Sequence, residues 1–505
     1  MAPQSLASFS NSPSTSSTIP TMVRVLALAA LALAVSAKPF IRHFDVQDLI
    51  QSNTEGLEAA APEEWFEAQK LDHFTPTNNA VWKQRFFTND EFYGGAGSPV
   101  FVYINGENVA RNTTVGSQGL FMNVLAKKHK ALIVSLEHRF YGKSQPTADL
   151  TTANLKYLSA DQALKDLVNF QDHLIAKRKL VDSKWVAFGG SYPGMLAAWA
   201  KSKYPDRFVG SVASSGPILA KGDFFEYADK VEYGLLKTGG AECVNTIKEG
   251  LEAFHKLVAS TKPDDVAQLT KLFKPCTPIK DDRERMTIES NVYFPFENAA
   301  QSNDYAPYNL KAICDEFKAP GKTPLEKVAA FNDRALGSAK CTDVDYENSW
   351  INWMKDTSLT TTDIYRQWTY QTCNEFGFGQ NAASAKGMFK ALSYVTPELT
   401  LYEPCKAVFG INDLLARVDA TNKKYGGFKI DVENVAFPTG TFDGWAGLAL
   451  SNATGTVNAK SEVVDIEGIS HCGDMSAPKA TDSGHLVWGH QRVEAFVDGL
   501  LRKKC

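Results

Sequence analysis

The stretch Phe188-Gly189-Gly190-Ser191-Tyr192-Pro193-Gly194 has the residue types needed to expose a nucleophilic hydroxyl. A strand-like run, Lys184 to Phe188, meets a Ser flanked by glycines, and a helical pattern from Tyr192 to Tyr204 follows. A serine on such a tight turn projects above the strand, while the free N–H groups of the helix start favour a developing negative charge. A Gly-rich strand-to-helix turn without chemistry is the competing reading, and Pro193 occupies the place where a second Gly is usual. The hydroxyl needs a base and a group to orient it. His471 follows the strand Glu462–Ile466, and Asp443 follows the strand Asn434–Phe437. Both therefore come after the serine, in the order Ser, acid, His. Alternatives are weaker: His138 precedes the serine, and His485 and His490 fall in or beside a closing helix. Asp474 sits three residues from His471, as a loop-ordering residue would, and Ser214 and Ser215 lack a Gly-flanked turn. Two oxyanion donors are expected, the Tyr192 N–H and one from the loop at Gly106-Glu107. Glu107 could contact substrate or merely brace its loop.

The elements that must position these residues alternate. Pro99–Ile104 and Ala131–Leu136 are buried-type strands. Ser159 caps a helical run from Ala160 to Ala176, apolar at Leu164, Leu167, Phe170 and Leu174, and Phe208–Ala213 is a further strand. Strands alternating with helices imply a mostly parallel sheet. The rhythm stops after Pro217, resumes near residue 434, and ends in a helix from about Val487 to Leu501. The chain therefore divides into an N-terminal extension and signal segment (1–37), a first core part (38–217), an inserted, mostly helical cap (218–405) and a second core part (406–505). The fold class is α/β, an α/β hydrolase with a disulfide-braced cap. Residues 38–62 read as a loose leader.

Composition sets the outer limits. The 505 residues are 44% hydrophobic and 22% charged, with a net charge of −4, which suits a large globular core and gives no reason to expect nucleic acid as partner. Met22-Val23-Arg24, the apolar run Val25 to Val35 and the small-residue exit Val35-Ser36-Ala37 read as a signal peptide cleaved after Ala37, with Met22 as an alternative start. The run is too short to span a bilayer, so no stable membrane insertion is expected and the product is secreted or lysosomal/vacuolar. Six of eight cysteines lie between Cys243 and Cys405, which indicates a disulfide-braced segment; their spacing alone leaves fifteen connectivities open. No pair has CxxC spacing, so no zinc site is expected; no metal or other cofactor is called for. Sequons at Asn112 and Asn452 are candidate glycosylation sites.

Further along, Glu137-His138-Arg139-Phe140-Tyr141-Gly142-Lys143-Ser144-Gln145-Pro146 resembles the EHRxYGxSxP hallmark of the S28 serine peptidases, the family of Pro-X carboxypeptidase, dipeptidyl peptidase II and thymus-specific serine protease. Leu71-Asp72-His73-Phe74, Tyr157-Leu158-Ser159 with Gln162-Ala163-Leu164, Gly189-Gly190-Ser191-Tyr192, Gln371-Thr372-Cys373-Asn374-Glu375-Phe376-Gly377 and Tyr425-Gly426-Gly427 resemble other family motifs, over roughly residues 65–495. The resemblance implies a serine exopeptidase cleaving beside proline, with Ser191, Asp443 and His471 as triad. It also implies a prolyl pocket near Met195, Trp445 and Met475, and the pairs Cys243–Cys314, Cys276–Cys341 and Cys373–Cys405. Peptides are then the partners, and a homodimer stays open. The chain departs from the family at Pro193 for Gly, Thr439 for Asn and Gly444 for Pro. An esterase or lipase of the same fold, or an inactive binding protein that kept it, are the alternatives.

Overall fold

The computed structural model describes residues 45–51, 61–361 and 363–502. Eight strands form the central sheet: β1 (Glu63–Lys70), β2 (Val81–Asn89), β3 (Val100–Ile104), β4 (Leu132–Leu136), β5 (Trp185–Gly190), β6 (Gly210–Ser214), and, after the insertion, β9 (Val435–Gly440) and β10 (Glu462–Ile466). The insertion contributes β7 (Lys221–Phe224) and β8 (Gly377–Gln380), a separate parallel pair. The order across the main sheet is β1-β2-β4-β3-β5-β6-β9-β10. β2 runs antiparallel to β1 and β4, and every other pairing is parallel. That is the α/β-hydrolase arrangement.

Residues in a strand point alternately to opposite faces, and the core follows this rule. In β3, Val100, Val102 and Ile104 join one apolar cluster with Leu132, Val134, Ala187 and the inner face of the helix Ala160–Arg178. Phe101 and Tyr103 join a second with Ile133, Phe188, Val212, Leu125 and Val493. Because helices cover both faces, β3, β4, β5, β6 and β9 are buried throughout, and their sequences read as unbroken apolar or small-residue runs. Ser159 caps the helix Ala160–Arg178 by accepting from the Gln162 N–H, and Leu164, Leu167, Phe170 and Leu174 are all at most 3% exposed. Each such side chain stabilises the fold by about 1.5–3 kcal/mol.

Three parts differ from the sequence reading. The strands β1 and β2 have no counterpart in it. They form an antiparallel hairpin-like edge with a register shift between Phe66 and Gln69, and β1 is half polar because it lies at the margin of the sheet. The stretch read as a loose leader contains a short helix, Val46–Gln51, whose Val46, Leu49 and Ile50 are buried in the second cluster. The helical insertion also carries a strand pair, β7 with β8. The stretch read as a signal segment, with a cleavage site expected near Ala37, lies outside the described residues. Among the described residues, no helix is long and apolar enough to cross a membrane.

The chain leaves the sheet after β6 and returns at β9. The intervening segment is mostly helical, built on Glu226–Ala259 (interrupted at Gly240, φ 77°) and Asp282–Gln301. Three disulfides brace it: Cys243–Cys314, Cys276–Cys341 and Cys373–Cys405, with Cα separations of 5.2, 5.0 and 5.5 Å. These are the pairs implied by the family resemblance. Cys472 is buried and forms no disulfide.

Candidate active site

Ser191 joins β5 to the helix Tyr192–Lys203, and its backbone is left-handed, with φ 62° and ψ −130°. A non-glycine residue holds such a conformation only where its surroundings enforce it. Here the Ser191 N–H donates to the Ser214 carbonyl (2.9 Å) at the end of β6. Pro193 lies in the first helical turn, where its missing N–H forfeits no helical hydrogen bond, so this departure from the family pattern is sterically accommodated. The turn is closed by close approaches. A methyl group at Gly190 would lie 2.3 Å from Met475 Sδ, and one at Gly106 would lie 2.5 Å from Pro193 Cγ.

Asp443 and His471 meet. His471 Nδ1 is 2.9 Å from Asp443 Oδ2, and both side chains are fully buried. The other carboxylate oxygen of Asp443 accepts from the Trp445 N–H (2.9 Å), which fixes the carboxylate from both ends. The loops are joined by Thr441 N–H to Ile466 carbonyl and Phe442 N–H to Ile469 carbonyl, each 3.0 Å. The next residue, Cys472, donates its N–H to Ser215 Oγ (3.0 Å), and its thiol is approached by the Ser191 backbone N–H. The loop carrying His471 is thus fastened to the end of β6, to which the Ser191 N–H is also bonded.

The alternatives hold other posts. Asp474 accepts from Ser214 Oγ (2.6 Å), and its carbonyl is 3.1 Å from His490 Nε2; burial pushes its carboxyl up to about 7. It ties the His471 loop to β6. His485 is exposed, and His490 packs on Phe121 with ring centroids 4.4 Å apart. His138 bonds the Tyr192 hydroxyl (3.0 Å).

A cleft opens beside Ser191, lined from the strand ends and the inserted segment. Its walls include Tyr192, Trp445, Trp368, Phe378, Trp350, Trp353 and Tyr365. Glu107 and Gln301 supply polar groups, and among the described residues no Lys or Arg lines it. Burial pushes the Glu107 carboxyl up to about 8. Of the three residues expected at a prolyl pocket, Trp445 lines the cleft. Met195 does not: one helical turn after Ser191, it points down into the core and is 0% exposed. Met475 does not either; its sulfur fills the space beside Gly190. Of the sequons, Asn452 is exposed and Asn112 half-buried.

Sequence reasoning missed the contacts that the inserted segment makes with each site loop. Asp304 Oδ2 accepts from the Ser470 N–H (2.8 Å), and Ser470 Oγ accepts from the Asp304 N–H (3.3 Å). Gln301 Oε1 accepts from Trp445 Nε1 (2.9 Å) and from the Tyr227 hydroxyl (3.1 Å). Gln371 donates to the Tyr192 hydroxyl (2.9 Å). Only Gln371 had a signal, its place in a recognised motif. The EHR hallmark is a brace rather than a reactive group: Arg139 makes two 2.6 Å bonds to Asp166 and donates to the carbonyls of Lys70, Leu71 and Tyr157. Glu137 pairs with Arg85 and accepts from Ser144 Oγ (2.7 Å).

Strand order, the serine at the β5 turn and the Asp–His pair on the loops after β9 and β10 make this chain an α/β hydrolase with a helical cap. Comparison with known proteins narrows the class. The chain belongs to the serine carboxypeptidase S28 family, whose pattern matches residues 69–493, and is by that membership a serine peptidase. A Caenorhabditis elegans protein named as a serine protease is 34% identical over 452 residues, 86% of this chain and 87% of the relative. The thymus-specific serine protease of Homo sapiens is 30% identical over 478 residues, 89% and 90% of the two chains. The lysosomal Pro-X carboxypeptidase of Homo sapiens is 27% identical over 452 residues, 82% and 83% of the two chains.

Proposed function

We propose that the chain is a secreted or lysosomal exopeptidase that cleaves peptide bonds next to proline through an acyl-enzyme, with Ser191, His471 and Asp443 as catalytic residues. The observation that carries the reading is the buried Asp443–His471 bond at 2.9 Å, on a loop fastened to the end of β6, to which the N–H of a serine in strained backbone is also bonded. In the neutral tautomer that donates Nδ1–H to Asp443, Nε2 of His471 is the atom assigned to accept the Ser191 proton. The Ser191 oxygen then bonds the scissile carbonyl carbon, whose oxygen becomes an oxyanion. The Tyr192 N–H and the Gly106-Glu107 loop are the donors assigned to it. His471 returns the proton to the leaving amine, the C–N bond breaks, and water repeats the sequence on the acyl-serine.

The aromatic cleft supports a substrate with a flat apolar ring, and Trp445 is the wall assigned to proline. Two relatives of the family are named for a serine protease and for Pro-X carboxypeptidase action. Export through the segment ending at Ala37, glycosylation at Asn112 and Asn452, and peptide partners belong to the same proposal.

The test is incubation of the purified mature protein with X-Pro-Y peptides, read by mass spectrometry, beside labelling with a fluorophosphonate probe. Expected are single terminal cleavages next to proline and a label on Ser191, both absent in Ser191→Ala, which still folds. Labelling with turnover of lipid esters alone would replace the peptidase reading by an esterase. No labelling of the folded wild type would make the chain a binding protein.

A further inference from the structure

Tyr192 follows the nucleophile, and its side chain is fully buried. Its ring lies against His138, Trp368 and Phe376, at centroid distances of 5.5, 5.6 and 5.3 Å. Its hydroxyl is 3.0 Å from His138 Nε2 and 2.9 Å from Gln371 Nε2. Gln371 Oε1 in turn accepts from the Tyr141 hydroxyl at 2.5 Å, and His138 Nδ1 lies 2.8 Å from the Arg139 carbonyl.

The direction of every bond follows from donor and acceptor chemistry. A carbonyl only accepts, so His138 carries its proton on Nδ1. Burial pulls the His138 imidazole down to about 4, so the ring is neutral and Nε2 accepts. The Tyr192 hydroxyl must then donate to His138 and accept from Gln371. The Gln371 amide is left in one orientation, with Nε2–H toward Tyr192 and Oε1 toward Tyr141. A single donor from the cap therefore completes a chain with one polarity.

We infer that Gln371 is a positioning residue for the reaction: it holds the Tyr192 ring from the cap side and thereby aims the Tyr192 N–H at the oxyanion. The inference rests on the reading of Ser191 as nucleophile. Gln371 is itself fixed. Two residues on, Cys373 is bridged to Cys405, and Glu375 accepts from the Ala160 N–H with both oxygens, at 3.0 and 3.1 Å. On the other side of the Tyr192 backbone, Gly106 leaves no room beside Pro193. A shift of the Tyr192 ring therefore moves the turn that carries the oxyanion amide, and geometry of this kind is costly to lose: a misplacement of about 1 Å can cost about a hundredfold in rate.

The decisive variant is Gln371→Glu, which keeps the size and the acceptor for Tyr141 and is assayed at a pH above the value of about 8 to which burial raises the neighbouring Glu375, so that it is ionised and has no proton for Tyr192. The expected result is a kcat about tenfold lower with KM within about twofold, since only transition-state binding suffers. Affinity for a peptide boronate, which forms a tetrahedral adduct on the serine, should fall by the same factor as kcat. In a Tyr192→Phe background the same change should cost nothing further, because the acceptor is gone. Wild-type kcat in Gln371→Glu, a loss confined to KM, or an undiminished loss in the Tyr192→Phe background would each overturn the inference. If Gln371→Glu fails to fold by circular dichroism, Tyr192→Phe is read alone: it must show the same kcat-only loss, and a wild-type kcat overturns the inference. Ser191→Ala separates the two readings. Inactivity there with wild-type kcat in Gln371→Glu sinks the positioning role only; retained activity in Ser191→Ala sinks the nucleophile itself.

Discussion

Gly106 and Pro193 face each other across the serine turn with no space for a side chain between them: a methyl on Gly106 would sit 2.5 Å from Cγ and 2.6 Å from Cδ of the proline ring. Alanine at 106 must displace the Gly106-Glu107 loop, the helix start, or both. Gly106→Ala should lower kcat by about 10–100-fold, the range for a misplacement near 1 Å. Pro193→Gly removes the obstructing ring and should restore most of that loss in the double variant. Steady-state kinetics of the four proteins test this; equal losses in both backgrounds would show that the ring is not the obstacle.

Asp443 and Asp474 should separate sharply. Asp443→Asn keeps the shape but offers His471 Nδ1 the wrong partner, and in a comparable triad this lowers kcat by about 10⁴. Asp474 bonds Ser214, so Asp474→Asn should cost much less, with both variants folded by circular dichroism. The reverse ranking would transfer the orienting role to Asp474.

Acid should stabilise the fold relative to alkali. Burial raises Glu107, Glu297 and Glu375 from 4.5 to about 8 and Asp474 from 3.8 to about 7. Between those limits the folded chain holds protons that the unfolded chain has released, so stability is full below pH 4 and is lost as pH rises toward 7–8. His138 works the other way: its pKa falls from 6.5 to about 4, so acidification across that window costs stability. Burial lowers His173 and His490 as well, but the four strongly raised carboxyls outweigh the imidazoles, and every tenfold difference in proton affinity between the folded and unfolded chain is worth about 1.4 kcal/mol. The thermal midpoint should therefore be several degrees higher at pH 5 than at pH 8. Differential scanning fluorimetry across that range decides it, and a midpoint that rises with pH contradicts the assignment.

Reduction should act in sequence. Cys243, Cys314, Cys373 and Cys405 are at most 1% exposed, whereas Cys276 is exposed and Cys341 half-buried. A mild reductant should open Cys276–Cys341 first. Loss of a native disulfide costs about 2–5 kcal/mol, so hydrogen exchange should rise in the cap before it rises in β3 to β6. Peptide mapping with differential alkylation reads the order; early reduction of Cys373–Cys405 would refute it.

What the sequence disclosed follows from what surrounds each element. β3, β4 and β5 are covered on both faces, so their residues are apolar or small without interruption, and Ser191, Asp443 and His471 stand at strand ends whose order could be read directly. β1 was illegible because one edge meets solvent: Glu63, Glu64, Glu67 and Lys70 interrupt the apolar pattern, and the register shift breaks what alternation remains. Met195 was misread as pocket-lining because a residue type suited to a ring-binding surface is equally suited to a core. The cap contacts were invisible for another reason. Gln301, Asp304 and Gln371 reach the site through hydrogen bonds to partners 144, 166 and 179 positions away, and no local pattern encodes such a pairing.

The insertion of the cap between β6 and β9 also orders events during synthesis. Ser191 and the strand beneath it are complete long before β9, β10 and the loops bearing Asp443 and His471 exist. At about 5–20 residues per second, the serine precedes His471 by roughly 15–55 s. Throughout that interval the hydroxyl lacks the base assigned to it, and the open edge of β6 has only the cap to await its neighbour. A chain built this way arms itself last: under the proposed chemistry, the nascent polypeptide passes its own synthesis as an inert protein and becomes a hydrolase only when its final hundred residues close the sheet.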